Sequence, residues 1–353
     1  MKYIDIAKEK IKKLKNKDDI IILAIESSCD ETAVAITKGK RILSNKISSQ
    51  IEIHARFGGV VPEIASRNHI LAIDNILEQA LEESKMTLKD IDAVAVTYGA
   101  GLLGALLVGV AYAKSLALSL GVPLIGINHI KGHIFANFIS HQELKYPFIC
   151  LVASGGHTAL LKVEGYQKIE SLGSTCDDAA GEAFDKVARV LGLGYPGGPE
   201  VEKAAQKGKD KIILPRPFKG EEHLNFSYSG LKTAVVNYVH NTKKGGGDVN
   251  IYDVAKSFQN QAVGMLIDNA IKAAKRHNIK SIAVAGGVGA NTALREGLEK
   301  AAKEHGIKLF LPPKSLCTDN AAMIAIAAYF AIKENISPAD LDLDADASLD
   351  LIS

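Results

Sequence analysis

The chain of 353 residues contains no tryptophan, and its formal net charge is only +2. So small a charge excludes a uniformly basic nucleic-acid binder; any such surface has to be local. The cysteines are few and scattered, at Cys29, Cys150, Cys176 and Cys317, with no CxxC pair. This argues against a disulfide framework or a structural zinc site and suits a reducing cytoplasm. Residues 1–19 carry charges throughout and lack a continuous apolar stretch. They do not read as a signal peptide but as a solvated, Lys-rich helix. One long apolar run stands out, "LLGALLVGVAYAKSLALSL" from Leu102. It has the length of a membrane span. Yet it contains Lys114, follows a strand directly and exits at Gly121-Val122-Pro123 as a buried helix does, so no membrane is expected. The P-loop and HExxH are absent.

What is present is glycine, set in an order of elements that occurs twice. "IIILAIESS", "TAVAIT" and "RILSNKISS" read as strands, and "HILAIDNILEQALEESK" as a helix. "DIDAVAVTYGAG" is a strand into a glycine turn that opens the apolar helix, and "VPLIGINH" is a further strand. The pattern then returns with "PFICLVASGG", "HTALLKVEG" and "YQKIESLGS", the helix "CDDAAGEAFDKVARVLGL" and an irregular insertion near 194–223. Two helical segments, "KSIAVAGGVGAN", "IKLFLPP" and "TDNAAMIAIAAYFAIKE" follow. Such a repeat predicts a duplicated α/β fold, with two domains facing each other across a nucleotide cleft. The expected division is an extension over 1–19, a first domain over 20–149 and a second over 150–318. A C-terminal helix over 319–336 would lie at the cleft, followed by a tail over 337–353. Four glycine turns are expected to line the cleft, at 98–104, 154–158, 195–200 and 285–291. Each alone is an ordinary tight βα connection; together they point to phosphate.

In "GINHIKGHIF", His129 and His133 stand four apart, so on a helix both imidazoles share one face. That is the spacing of a zinc protease helix, but the residue after the first histidine is Ile130, where the protease needs its glutamate. Two imidazoles want a third ligand. Asp319 in "SLCTDNAAM" is the best candidate, completing a two-histidine, one-carboxylate set, unless it only caps its helix. "ESSCDET" places Glu26, Asp30 and Glu31 beside the first strand end, where three carboxylates repel unless a cation or proton intervenes. Asp30 and Glu31 are expected to function; Glu26 reads equally well as part of a solvated hairpin. "HARFGGVVPEIASRNH" gathers His54, Arg56, Arg67 and His69 into a basic loop that suits a phosphate backbone or is simply surface.

"KSLALSLGVPLIGINHIKGHI" resembles the signature of the glycoprotease-signature family, now understood as the tRNA threonylcarbamoyladenosine transferases, TsaD in bacteria. "IESSCDETAVAI", "FGGVVPEIASRNH", "SGGHT", "GEAFDKVARVLGLGYPGGP", "FSYSGLKTA", "AGGVGAN" and "CTDNAAMIA" resemble its other motifs, in the family's order, over residues 20 to about 333. The resemblance implies the actin-like ATPase (ASKHA) fold and transfer of threonylcarbamoyl from L-threonylcarbamoyl-adenylate to N6 of adenosine 37 in tRNAs reading ANN codons. It implies His129, His133 and Asp319 as ligands of one divalent metal, iron(II) foremost, with zinc and magnesium compatible. Val152, Ala153, Ser154, Gly155, Gly156, Asp185, Gly198, Glu202 and Asn291 resemble the nucleotide-contacting positions, and Asp30 and Glu31 the acidic pair of catalysis. The implied partners are the tRNA anticodon stem-loop, a paralogous TsaB-like subunit and a TsaE-like ATPase. Arg56, Arg67 and, in the insertion, Arg216 are the candidate tRNA contacts. The apolar helix from Leu102 and its neighbour from His69 are expected to form a partner surface. The rival readings are a metallopeptidase, a sugar kinase or ATPase of the same fold, and a non-catalytic subunit.

Overall fold

The computed structural model describes residues 2–218, 220 and 222–351. Met1 of the expected extension, Lys219 and Glu221 of the expected insertion, and Ile352 and Ser353 of the expected tail lie outside the described residues. The chain forms two units: residues up to Gln142 together with those from Thr318 on, and Glu143–Cys317.

The first unit begins with α1 (Tyr3–Leu14), β1 (Ile21–Glu26), β2 (Glu31–Lys38), β3 (Arg41–Ser49), α2 (Ile51–Ala55) and α3 (Pro62–Ser84). It continues with β4 (Ala93–Gly99), α4 (Leu103–Leu120), β5 (Leu124–Asn128) and α5 (His129–Ser140). The second unit holds β6 (Phe148–Ala153), β7 (Thr158–Val163), β8 (Ile169–Ser174), α6 (Ala180–Val190), α7 (Gly197–Ala205) and α8 (Ser229–Lys244). After these come α9 (Ile251–Arg276), β9 (Ser281–Ala285), α10 (Thr292–Glu304) and β10 (Lys308–Phe310). The last helix, α11 (Ala321–Lys333), returns to the first unit.

The sheets run β3-β2-β1-β4-β5 and β10-β9-β6-β7-β8. Counted within each unit, both have the order third-second-first-fourth-fifth, which is the expected duplication. In each, the second and third strands are antiparallel to their neighbours, while the first, fourth and fifth run parallel. Parallel strands covered on both faces read as continuous apolar runs, hence "IIILAI" and "FICLVA". Sheets of this kind bind ligands beyond the carboxyl ends of the parallel strands. In the first unit those ends are Glu26, Gly99 and Asn128; in the second they include Ala153 and Ala285.

α11 is buried from Ala321 to Tyr329 and packs on α5, β1 and β2. Burial of each isoleucine there, Ile324 or Ile326, stabilises by about 1.5–3 kcal/mol. Core packing therefore sets where Asp319 sits, two residues before the helix begins. Asn320, not Asp319, caps α11, its side chain accepting from Met323 N at 3.0 Å.

Several sequence expectations are corrected. The N-terminal segment is not a solvated helix: Tyr3, Ala7, Ile11 and Leu14 form one buried stripe, and the Tyr3 hydroxyl donates to Val122 O at 2.9 Å. The basic segment from His54 is not a loop. A proline at its first turn starts α3 earlier than the apolar periodicity showed, so Arg67 and His69 are helical. The insertion is not wholly irregular, since α7 lies within it. The turn at 98–104 is packed by the chain itself. Asp346 N donates to Tyr98 O and Gly101 N to Ala347 O, and a Cβ at Gly99 would strike the Asp346 carbonyl. Gly99 serves that close approach, while Gly101 and Gly104 pack against Ser28 and Ser66. α4 has the length and apolarity of a membrane span, but one side is buried on β4 and α3. Its other side is open. Leu103, Leu107 and Leu118 are exposed there, and α3 adds Ile70 and Leu71, 61% and 80% exposed.

Candidate active site

The site in the first unit begins where β5 runs directly into α5. Asn128 ends the strand and caps the helix, its side-chain oxygen accepting from Ile130 N and Lys131 N at 2.9 and 3.2 Å. His129 and His133 are thereby fixed on the helix's first two turns, and both are buried. Their rings meet edge to face with centroids 4.7 Å apart. α5 and α11 approach closely at Gly132, where a Cβ would come within 2.7 Å of Ile324 Cδ1. Asp319 Oδ1 lies 3.1 Å from His133 Nε2 and 3.5 Å from His129 Nε2. The three ligand atoms all fall within 4.8 Å of one another. With metal–ligand bonds of about 2.0–2.2 Å, ligand atoms around one cation stand roughly 3–3.5 Å apart. The donor set therefore fits a divalent cation such as iron(II) or zinc.

The opposite side of His129 carries a residue whose burial the sequence left open. Glu26, at the end of β1, is fully buried rather than part of a solvated hairpin. It accepts from Ser28 N and from the Thr97 hydroxyl, each at 2.6 Å, and its Oε2 lies 3.2 Å from His129 Nδ1. Burial favours its neutral form, but the charge and hydrogen bond of His129 prevail and hold its pKa below the ordinary carboxylate value. Burial likewise works against a charged His129, yet Asp319 and Glu26 outweigh it and raise the imidazole to about 9. In the absence of a cation, a proton takes its place.

Asp30 is buried and Glu31 lies beside it at the start of β2, with Ser49 Oγ donating to Glu31 Oε1 at 3.2 Å. Burial, then Asp319, then Asp30 push Glu31 up to about 10. These carboxylates crowd one another as their spacing foretold. The turn that carries them is braced by His69. Its Nε2–H donates to Cys29 O at 2.9 Å, and Nδ1 faces the Thr32 hydroxyl at 2.7 Å. Burial holds His69 below the usual histidine pKa. His54 is buried too, accepting from Val61 N. Both histidines are buried braces of turns, and neither side chain is presented to solvent as the basic-loop reading requires. Arg56 is exposed, Arg67 is exposed and pairs with Glu63 at 2.7 Å, and Arg216, in the other unit, is tied to Asp268.

In the second unit Val152 and Ala153 end β6 beside Ala285 of β9. The chain then turns through Ser154, Gly155 and Gly156, the two glycines exposed with open space where a Cβ would stand. Gly286 takes φ +88° against the Ala153 carbonyl, a conformation and an approach that suit only glycine. Asp185 accepts from Gly197 N at 2.7 Å, the first residue of α7, beside Gly198. Glu202 accepts from Thr292 N at 3.0 Å, the first residue of α10. Asn291 caps α10 through Leu294 N and donates to Gln259. The three polar residues thus organise two helix amino termini, positions that favour anions. Sequence reading passed over Ser28, Thr97 and the buried partnership of Glu26. A carboxylate closing a wholly apolar strand was the available signal, since such a group needs partners.

The family model described as "TsaD: tRNA N6-adenosine threonylcarbamoyltransferase" matches residues 41–326. The tRNA N6-adenosine threonylcarbamoyltransferase of Clostridium perfringens (strain SM101 / Type A) is 57% identical over 325 residues, 91% of this chain and 96% of the relative. That of Clostridium novyi (strain NT) is 55% identical over 328 residues, 92% and 96% of the two chains. Among solved structures, full-length HypF in its phosphate- and nucleotide-bound form superposes with a TM-score of 0.61 at 16% identity. It covers 92% of this chain and 48% of the HypF chain. Component A of the Acidaminococcus fermentans (R)-2-hydroxyglutaryl-CoA dehydratase gives 0.51 at 16%, over 89% and 99%. These two likenesses show the fold, an ASKHA-type duplicated α/β architecture. The family model and the clostridial relatives show more: the chain belongs to the TsaD family, the tRNA N6-adenosine threonylcarbamoyltransferases of t6A biosynthesis.

Proposed function

We propose that the chain takes the threonylcarbamoyl group from L-threonylcarbamoyl-adenylate, delivers it to N6 of adenosine 37 in tRNAs reading ANN codons, and releases AMP. His129, His133 and Asp319 hold one divalent cation, iron(II) in preference to zinc or magnesium. The observation that carries this reading is the convergence of two imidazole nitrogens and one carboxylate oxygen within 4.8 Å. Such a cation supplies Lewis acidity toward the carbonyl or phosphate oxygens of the donor. The chain's own residues do the rest. Asp30, or Glu31 once ionised, accepts the proton that N6 loses as it bonds to the carbamoyl carbon, and the C–O bond to the adenylate phosphate breaks. The turn at Ser154–Gly156, with Val152, Ala153, Asp185, Gly198, Glu202 and Asn291, holds the AMP portion through backbone N–H groups and helix termini. Arg56, Arg67 and Arg216 contact tRNA phosphates. A metallopeptidase is not favoured, because Ile130 stands where that chemistry needs a glutamate.

The same reading gives the chain cytoplasmic partners, a TsaB-like subunit of the same fold and a TsaE-like ATPase. The exposed apolar face of α3 and α4, with Ile70, Leu71, Leu103 and Leu107, suits the first. Incubation with ATP, threonine, bicarbonate, tRNA and the adenylate-forming enzyme tests the activity. Appearance of threonylcarbamoyladenosine supports it, and release of AMP without modified tRNA refutes it. Leu71→Asp with Leu107→Asp should abolish co-elution with the TsaB-like subunit while leaving the melting temperature unchanged.

A further inference from the structure

Glu26 is a wholly buried carboxylate that no step above uses. Its two oxygens are clamped by one backbone N–H and one side-chain hydroxyl. Ser28 N holds Oε1, and the hydroxyl of Thr97, on the adjacent strand β4, holds Oε2, both at 2.6 Å. The carboxylate is therefore a fixed object to which the His129 ring must adjust. Two groups face His129 Nδ1: Ser28 Oγ at 3.1 Å and Glu26 Oε2 at 3.2 Å. A hydroxyl either donates or accepts and so chooses no tautomer, whereas a carboxylate only accepts.

We propose that Glu26 is the positioning residue of the cation site. It draws the proton of His129 onto Nδ1 and leaves the Nε2 lone pair aimed at the point shared with His133 and Asp319. The inference rests on the cation reading above. The second histidine differs, for among the described residues His133 Nδ1 is buried without a hydrogen-bond partner, and its ring is held by packing and by the edge of His129. The carboxylate thus sets the tautomer of His129 alone. Metal-bound histidines are commonly oriented by such a carboxylate, and its loss costs 10–100-fold in metal affinity.

The test uses the full chain stripped by chelator and titrated with cobalt(II) alone. Affinity is read by chelator competition, the ligand field by the visible spectrum, and folding by the melt of the stripped protein. Glu26→Gln keeps the shape and removes the charge. It should bind cobalt(II) 10–100-fold more weakly, with altered ligand-field bands and an intact cooperative melt. Glu26→Asp should recover part of the affinity. Equal affinity and an identical spectrum in Glu26→Gln and the unaltered chain would overturn the inference while sparing the cation site. An unaltered chain that takes up no cobalt(II) overturns both. Should Glu26→Gln fail to fold, Thr97→Val, which frees one carboxylate oxygen, decides. A several-fold loss supports the role, and unchanged binding refutes it.

Discussion

At the residue scale, the chemistry depends on whether protons or a cation occupy the carboxylate–imidazole cluster. His133→Ala should abolish stoichiometric metal uptake and lower transfer at least 100-fold, with stability changed by no more than about 1–2 kcal/mol. Metal analysis, tRNA modification and circular dichroism check this; an ion retained by the variant would remove His133 from the ligand set. pH offers a second check. His129 is raised to about 9, so its charged pairs contribute stability fully below its unfolded value near 6.5, and this is lost as pH rises through 9. Glu31, raised to about 10, binds its proton more tightly folded than unfolded, so it too makes stability fall from about pH 5 upward. The metal-free chain should therefore melt at progressively lower temperature between pH 6 and 9. A cation replaces the proton on His129, so metal affinity should rise over the same range. Parallel melts with chelator and with metal decide; a metal-free melt that climbs toward pH 9 contradicts the protonated cluster.

Elements place these residues by backbone contact. α6 begins against the turn at Ser154, where Gly181 N donates to Ser154 O at 3.0 Å. A Cβ at Gly181 would stand 2.7 Å from that oxygen and 2.9 Å from the Gly155 backbone. Alanine gains up to about 1 kcal/mol of helix propensity over glycine, but the obstacle is backbone and cannot swing aside. Gly181→Ala should thus displace the turn and weaken AMP binding about tenfold or more, measured by calorimetry. Unchanged AMP affinity would mean that the turn does not hold the nucleotide. The glycine pattern foretold such a turn. Which helix presses on it was not legible, because α6 lies beyond the whole hairpin of β7 and β8. The same holds for α1, whose lysines hid a buried stripe of Tyr3, Ala7, Ile11 and Leu14.

For the whole molecule, a net charge of +2 leaves tRNA recognition to local arginines. Arg56 and Arg67 sit exposed near the start of α3, and the Arg67–Glu63 pair is a surface bridge worth about 0–1 kcal/mol. Reversing both charges should leave folding intact, weaken tRNA binding, and flatten its dependence on salt by about one unit of slope per lost phosphate contact. Capture of the threonylcarbamoyl-adenylate should be unaffected. Salt titrations of filter or fluorescence binding read the slope, and an unaltered slope assigns these arginines to solvent.

Local periodicity and turn chemistry act over a few residues, and there the sequence was sufficient. The strand-strand-strand-helix order and its repetition were written in apolar runs and glycine punctuation. The pairing of His129 with His133 followed from helical spacing alone. Asp319 was named as the carboxylate that two imidazoles want, and the family motifs repeat it, but its partnership with them spans nearly two hundred positions and no local rule. Burial was different, because it depends on what the rest of the chain stacks above a residue. Only the tertiary structure decided that Glu26 lies dry beneath His129, that His54 and His69 brace turns, and that the tail occupies the glycines at 99 and 101. A side chain's chemistry is set by its type, but its protonation and its task are set by neighbours that only folding brings within 3 Å.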